Sequence, residues 1–261
     1  MPAAYAHTLF GNKVLEKLNP DIQKIIKENI DLYYIGLFGP DILFYYKPLS
    51  KNDISSLGYA IHQQDAYDLF MHMKKVIRTS PNKEASLSYV CGFINHFILD
   101  SECHGFIGKM EKELKLSHAT IEADFERQLM QNEGIHASSK HLLEHIHYQK
   151  YMAELIAPVL RLSPQDIHKS IKGQQFFLEL LRCPGNIKKN ILSIGMKCVH
   201  VYDSMFGLIV QDQPHPQCID STHTLVTYLD QSVNLAVKHI HEYINHLDND
   251  ELSNRFHYNF E

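Results

Sequence analysis

Three residues that can bind metal recur at four-residue steps in one apolar stretch of the chain. They are His96, Asp100 and His104, and neither proline nor glycine occurs between Phe93 and His104. Apolar residues recur there with helical spacing, so the stretch predicts a helix. Residues four apart lie on one face of a helix. Imidazole nitrogens and carboxylate oxygens are zinc ligands, so this face could carry a metal site.

The spacing favours more than one metal ion. A helix rises about 1.5 Å per residue, which puts His96 and His104 roughly 12 Å apart along the axis. A zinc–imidazole bond is only about 2.0–2.1 Å long, so both imidazoles would rarely reach one ion. Asp100 lies between them, and its two oxygens could bridge ions about 3.5–4 Å apart. The chain contains 18 His residues, so a chance pattern of surface salt bridges also stays open here.

A second pair of candidate ligands follows within 27 residues of His96. Ser117 is a typical N-cap residue and predicts a helix that begins at His118. His118 and Glu122 then share one helix face at four-residue spacing. Five candidate ligands in so short a segment favour a metal cluster over a chance pattern.

The order of these residues resembles that of the zinc-dependent phospholipase C family, whose fold also occurs in single-strand-specific nucleases of the S1/P1 type. The family pattern is an early His, a Pro-Asp pair, a lone His, a His-x3-Asp-x(3–5)-His helix and a His-x3-Glu/Asp pair. Eight positions match in order within about residues 3–125. They are His7, Asp41, His62, His96, Asp100, His104, His118 and Glu122.

This resemblance implies a multi-helix bundle that holds two or three zinc ions. One ion would be held by Asp41, His62, His96 and Asp100. A second would be held by His104, His118 and Glu122. A third would be held by His7, Asp100 and the terminal residue, Met1 or Pro2. The family's mature chain begins with a Trp that binds this third ion, whereas the present chain contains no Trp.

Local interpretations without metal also exist for some of these positions. Asp41 follows Pro40 at the start of a predicted helical segment, where the helix dipole favours a carboxylate. By resemblance, Asp41 would instead be a metal ligand and a general base. His62 lies on a predicted helix from about 59 to 79, and Asp65 or Asp68 on that helix could orient a metal-bound histidine.

The remaining candidate groups have simpler explanations. Cys103 adjoins His104 but points to another face of the helix, which favours packing over metal binding. Three histidines lie on a predicted helix from about 138 to 157, without a carboxylate at a suitable spacing, and are interpreted as a solvated face. They are His141, His145 and His147.

Composition predicts an ordinary globular protein. The chain has 261 residues, 44% of them hydrophobic and 21% charged, with a net charge of -5. We predict one all-α domain over 1–261, with a metal-ligand half over about 1–132 and C-terminal helices over about 138–261 that complete the core. The five Cys show no disulfide or zinc-knuckle spacing, and neither a signal peptide nor a membrane-spanning run is seen, so the expected location is cytoplasmic.

The expected function is metal-dependent hydrolysis of a phosphodiester, most simply of a phospholipase C type. The partner would be a phospholipid or a related small molecule, and the acidic balance makes nucleic acid less favoured. A nuclease-like phosphodiesterase and a non-catalytic metal-binding helical protein are the alternatives. The complete ligand set favours the enzyme, because a degenerate member would be expected to have lost some ligands.

Overall fold

The structure is a computed structural model that describes residues 4–261, without the side chains of residues 203 and 204. In these residues it contains α-helices and short 3₁₀ helices and no β-strand, which confirms the predicted all-α class. The α-helices are α1 (Ala4–Lys17), α2 (Pro20–Glu28), α3 (Ile30–Gly36), α4 (Asp53–Gln63), α5 (Tyr67–Thr79), α6 (Lys83–Leu114), α7 (His118–Asn132), α8 (Lys150–Leu160), α9 (Pro164–Leu181), α10 (Asn186–Cys198), α11 (Tyr202–Met205) and α12 (Ile219–Asn245). The 3₁₀ helices are Gly39–Tyr45, Ala137–Ser139, Phe206–Leu208 and Asn254–His257.

Helix α6 forms the centre of the molecule. Every residue from Ala85 to Asp100 is buried, because α1, α3, α5 and α12 pack around this part of the helix. A helix that is apolar on all sides is expected to lie inside a protein. The side chain of Asn82 accepts a hydrogen bond from the Ala85 backbone N–H and caps the start of α6. The helix extends to Leu114, well beyond the stretch from Phe93 to His104 that predicted it.

Glycines allow α3 to pack directly against α6. A Cβ atom on Gly36 would lie 2.1 Å from the Tyr89 carbonyl oxygen, and one on Gly92 would lie 2.1 Å from the Tyr33 carbonyl oxygen. Any larger residue at either position would therefore push the two helices apart. This close contact brings the chain that follows α3, including Asp41, beside the middle of α6.

One predicted helix in the N-terminal half differs from the observed structure. The predicted helix over 59–79 is two helices, α4 and α5, separated at residues 64–66. Asp65 accepts a hydrogen bond from the Tyr67 backbone N–H at 2.8 Å and starts α5. Helix α4 begins earlier than predicted, at Asp53, because the Asn52 side chain caps the Ser55 N–H at 2.9 Å.

The predicted helix over about 138–157 is wrong in its first half. Residues 140–149 form turns and extended chain, and the helix begins only at Lys150. The Asp31 carboxylate accepts a hydrogen bond from the His147 backbone N–H at 2.7 Å, and Tyr34 packs edge-on against the His145 ring. These contacts with α3 fix the segment as a connection, which local periodicity could not reveal.

The C-terminal half contributes to the same hydrophobic core as the N-terminal half. Leu225, Leu229 and Ile240 of α12 are buried in it. After α12 the chain returns to α6, where Phe256 and Phe260 are completely buried. That the whole chain forms one domain stays a prediction. No helix in the described part of the chain is long and apolar enough to cross a membrane.

Candidate metal centre

All eight side chains singled out in the sequence lie at one place in the fold. The elements that position them come from five separate parts of the N-terminal half. They are α1 for His7, the 3₁₀ helix Gly39–Tyr45 for Asp41, α4 for His62, α6 for His96, Asp100 and His104, and α7 for His118 and Glu122. Their ligand atoms form three compact groups, each with all atoms within 4.8 Å of one another: His7/His96/Asp100, Asp41/His62/His96 and His104/His118/Glu122.

Asp100 occupies the middle of this arrangement. Its Oδ1 lies 3.2 Å from His7 Nε2 and 3.6 Å from His104 Nε2. Its Oδ2 lies 3.0 Å from His96 Nε2 and 3.7 Å from His62 Nε2. The two oxygens of one carboxylate therefore face different imidazoles, as a bridging group between two ions would require.

We call His7, Asp41, His62 and His96 the buried end, because each is at most 6% exposed. Here His62 Nε2 lies 3.1 Å from Asp41 Oδ1. The His7 and His96 rings are stacked, with their centroids 4.4 Å apart. The imidazoles and carboxylates are thus packed together without room for intervening side chains.

We call His104, His118 and Glu122 the open end. Glu122 Oε1 lies 3.1 Å from His118 Nε2 and 3.5 Å from His104 Nε2. Glu122 is buried, whereas the His118 side chain is 36% exposed. This end of the cluster therefore reaches the surface through its histidines.

The spacing between ligand atoms fits tetrahedral zinc. Zinc bonds of about 2.0–2.1 Å in tetrahedral geometry place neighbouring ligand atoms about 3.3–3.4 Å apart. The nitrogen–oxygen distances across the cluster run from 3.0 to 3.7 Å. His96 Nε2 is fully buried and makes no hydrogen bond to any described residue, although Asp100 Oδ2 is 3.0 Å away. His96 Nε2 and Asp100 Oδ2 are therefore close together but not hydrogen-bonded. This arrangement suits a cation bound by both atoms better than a proton between them.

Contacts outside the cluster fix the orientation of three imidazoles. The Nδ1 atom of His62 hydrogen-bonds the Gly58 carbonyl at 2.7 Å, and that of His96 hydrogen-bonds the Leu37 carbonyl at 3.1 Å. A carbonyl only accepts, so Nδ1 carries a proton and Nε2 is the atom that would bind a metal. The Nδ1 atom of His118 faces Glu111 Oε2 at 3.3 Å.

The groups that orient these histidines differ from the predicted ones. Asp65 hydrogen-bonds His257 at 3.0 Å and does not contact His62. The partner of His62 is instead the backbone of Gly58, and the partner of His118 is Glu111. A backbone carbonyl has no signature in a sequence. Glu111 lies seven residues before His118, on the preceding helix, where no motif marks it.

Electrostatics keep the carboxylates of the cluster ionised. Burial opposes the charge of Asp100, but the nearby His104, His96 and His7 imidazoles hold its pKa well below the usual value. Burial alone would lower the pKa of His62. The hydrogen bond to Asp41 and the charge of Asp100 have the larger opposite effect, so the pKa is raised to about 8. The cluster therefore consists of anionic oxygens between imidazoles, a favourable environment for a divalent cation.

Glu126 is a further residue at the cluster that sequence reasoning missed. It is fully buried on α7 and accepts hydrogen bonds from the Tyr5 and Ala6 backbone N–H groups at the start of α1. It thereby fixes the helix that carries His7. Burial raises its pKa to about 8. Its position one turn after Glu122 is the only trace in the sequence.

The C-terminal segment supports the buried end from behind. The Phe260 ring lies 5.4 Å from that of His62 and 5.9 Å from that of His96, measured between centroids. Its backbone N–H donates to the His62 carbonyl at 3.1 Å. Arg255 anchors the same segment to α6 through Ser101 and Glu102.

Other sequence candidates lie away from the cluster. Cys103 is buried, and burial raises the pKa of its thiol, which agrees with a packing role. His141 pairs with Glu179 and His147 is exposed, so neither joins the cluster. The predicted ligand at the chain terminus, Met1 or Pro2, lies outside the described residues.

A pocket of about 850 Å³ opens onto the cluster. All three residues of the open end line it, together with His62 of the buried end. Phe44 and Tyr59 form an aromatic wall, with ring centroids 4.5 Å apart. Charged residues of both signs surround the mouth: Lys109, Lys112, Glu111, Glu113 and Glu261.

The family model for zinc-dependent phospholipase C matches residues 6–177 of this chain. The chain belongs to the zinc-dependent phospholipase C family. No curated protein and no solved structure matches it significantly. The chain belongs to a zinc-dependent family, and its His, Asp and Glu side chains form groups that could bind metal. Together these findings support a metal-dependent hydrolase. The match includes every residue of the cluster and ends before α10, so the family pattern does not describe the last third of the chain.

Proposed function

We propose that the chain hydrolyses a phospholipid head-group phosphodiester, as a phospholipase C, with two or three zinc ions held by the eight clustered residues. The observation that carries the proposal is the bridging position of Asp100 between two groups of imidazoles, beneath a pocket. Asp41, His62, His96 and Asp100 would hold one ion. His104, His118 and Glu122 would hold a second, and His7 with Asp100 would contribute to a third.

When bound, zinc supplies positive charge that stabilises a phosphoryl oxygen and lowers the pKa of a water molecule. The chain's own residues position that chemistry. Gly58 and Leu37 hold the His62 and His96 rings in the required tautomer. Asp41 would accept a hydrogen bond from the attacking water and take its proton as the general base. Glu111 would keep His118 oriented at the pocket.

The overall reaction would add one water across the phosphodiester. The water oxygen bonds to phosphorus, the bond from phosphorus to the glycerol oxygen breaks, and the glycerol oxygen receives a proton. Diacylglycerol and a phosphorylated head group would leave. No side-chain nucleophile is needed, because the attacking oxygen comes from water.

The pocket favours a small head group over a polynucleotide. The aromatic pair Phe44 and Tyr59, with ring planes tilted by 53° to each other, offers an apolar wall for a small head group. A nucleic-acid site is expected to present an excess of Lys and Arg. Here the two lysines of the mouth are matched by three glutamates, and the chain carries a net charge of -5.

A substrate panel tests this proposal. Zinc-loaded protein would be offered phosphatidylcholine micelles, a soluble chromogenic choline phosphodiester and single-stranded DNA. We expect release of diacylglycerol and of the chromophore, loss of both with a chelator, and little cleavage of DNA. Asp41→Asn should retain the fold and lose at least about a hundredfold in activity.

Two results would contradict the proposal. Cleavage of DNA alone would assign the site to a nuclease-like phosphodiesterase. No turnover of any of the three substrates, with the metal content verified, would assign the chain to a non-catalytic metal-binding protein.

A further inference from the structure

Helix α10 presents an apolar stripe to solvent. Ile187, Ile191 and Ile194 follow the helical repeat, and their exposed fractions are 80%, 64% and 63%. Residues at this spacing lie along one face of a helix. Isolated exposed apolar residues are common, but an aligned set of large ones marks an interaction surface. Nothing in the description of the metal centre uses this face.

The opposite face of α10 holds the helix on the protein. Met196 is buried in a small core of its own with Leu181, Cys183 and Ile209. The helix is therefore a folded part of the molecule whose apolar residues divide between two faces. The inner face is fully occupied, so the outer isoleucines cannot turn inward without exposing Met196.

The stripe is accompanied by positive charge alone. Helix α10 contains Lys188, Lys189 and Lys197 and no Asp or Glu, in a chain whose net charge is -5. Lys188 donates to the carbonyls of Glu179 and Arg182, and Lys189 donates to the Gln211 side-chain oxygen. Among the side chains that the structure describes, none of these ammonium groups forms an ion pair with a carboxylate. Lys188 and Lys189 are half-buried and held by the protein, whereas Lys197 is exposed beside the Tyr202 ring, 4.7 Å from its centroid, and its charge is open to a partner.

The unit that carries α10 also borders the metal centre. After α10 and α11, the 3₁₀ helix Phe206–Leu208 packs on the start of α7, which begins at His118. A Cβ on Gly207 would lie 2.8 Å from Thr120 Oγ1 and 3.0 Å from Ser117 Oγ, so this contact is close. Leu208 itself lines the pocket of the metal centre. The segment that follows α10 therefore reaches the wall of the pocket.

We propose that α10 is an interfacial helix that docks the protein on an anionic lipid surface, with the three isoleucines inserted among the lipids and the exposed Lys197 against the head groups. A helix with an apolar face and a lysine-bearing polar face is the pattern of surface-bound membrane helices. Each lysine near an anionic bilayer adds about fivefold to binding. A second copy of the chain is a poorer partner, because a two-fold contact through α10 would set lysine against lysine.

The biological purpose of this docking rests on the proposed phospholipase activity, because docking would bring the pocket to its substrate. The docking itself does not depend on that activity. Docking and hydrolysis can be measured separately. Vesicle binding is read from flotation of the full chain with liposomes. Catalysis is read with the soluble choline phosphodiester, which needs no surface.

The test compares wild-type protein with Ile187→Ser/Ile191→Ser/Ile194→Ser, on vesicles of phosphatidylglycerol with phosphatidylcholine and on vesicles of phosphatidylcholine alone. We expect wild type to float with the anionic vesicles and the triple variant to lose at least about tenfold in binding. Lys197→Gln should weaken binding to the anionic vesicles by about fivefold and leave binding to the neutral ones unchanged. Activity on the soluble diester should stay within about twofold of wild type for both variants.

A control variant replaces exposed apolar residues elsewhere, with Leu49→Ser, Tyr151→Ser and Ile219→Ser, and should bind vesicles as wild type does. Equal binding by the isoleucine variant, or no binding by wild type, would overturn the docking surface. So would a wild-type dimer in light scattering that the isoleucine variant converts to monomer, because a second copy would then cover the face. Vesicle binding without hydrolysis of any substrate would retain the docking surface and reject the proposed function.

Discussion

The buried and open ends of the cluster contain similar ligand types but differ in their access to solvent. His96 at the buried end is 0% exposed, whereas the His118 side chain at the open end is 36% exposed. The buried end is enclosed by Phe260 and by the contact between α3 and α6, and the open end lines the pocket. We infer that the buried end holds its metal tightly and that the open end exchanges metal and contacts substrate first.

Under this inference, one helix would serve both tasks. Helix α6 carries His96 of the buried end, His104 of the open end and Asp100 between them. Along this helix, the two ends are separated only by the rise of about two helical turns. Burial then distinguishes them, because a site enclosed by protein exchanges its contents slowly. Three substitutions, in order of expected effect, address both ends, the buried end alone and the open end alone.

Asp100→Asn should have the largest effect, because Asp100 would ligate two of the proposed ions and its Oδ1 also faces His104 of the open end. The amide keeps the shape but offers one neutral oxygen, and its NH₂ group would face an imidazole nitrogen. We expect loss of the zinc that Asp100 helps to hold at the buried end, so that at most about one zinc per chain remains, and a loss of activity of roughly a thousandfold or more. Metal analysis and the soluble diester assay measure this. Asp230→Asn, which removes an exposed carboxylate of α12, is the control and should leave both unchanged. Full activity of Asp100→Asn would refute the bridging role.

Gly39→Ala should disrupt the buried end alone. Gly39 has φ of +46°, and a Cβ there would lie 2.3 Å from His96 Cδ2. The substitution strains the backbone and displaces an imidazole, so we expect the loss of zinc from the buried end and about a hundredfold lower activity. The matched control is Gly134→Ala, with φ of +72° and no atom within 4 Å of the added Cβ. It should cost about 1–2 kcal/mol of stability and keep all the zinc. Equal metal content in the two variants would reject the placement of His96.

Glu111→Gln should weaken the open end alone. Glu111 accepts a hydrogen bond from the His118 backbone N–H at 2.9 Å, and its Oε2 faces the His118 ring at 3.3 Å. Loss of such an orienting carboxylate typically costs about 10–100-fold in metal affinity. A chelator titration should then release one zinc early while the buried end keeps its metal. Glu113→Gln, at an exposed glutamate of the same pocket, should titrate as wild type. If release from the two ends remained simultaneous, the ends would not be distinct.

Local spacing made the α6 and α7 residues predictable. Four-residue steps placed His96, Asp100 and His104 on one helix face, and the structure has them there. Ser117 does cap α7, through the Thr120 backbone N–H. These are properties of a single helix, so they can be derived from sequence without knowledge of the fold.

Convergence from distant elements could not be derived in this way. Asp41 reaches the cluster because α3 packs on α6 through Gly36 and Gly92. His7 and His62 reach it through the packing of α1 and α4, which also depends on the tertiary fold. For these residues the family resemblance carried the prediction. The first half of the predicted helix over 138–157 failed for a related reason, since contacts with α3 overrode the local periodicity.

The zinc content of the purified chain, measured by mass spectrometry without added metal or a histidine tag, tests the central claim most directly. The three ligand groups predict two to three zinc ions per chain. Two ions would match the buried and open ends, and a third would indicate the site at His7 and the chain terminus. Less than one zinc per chain, unchanged after reconstitution with zinc, would contradict the account, because these side chains would then not form a metal cluster.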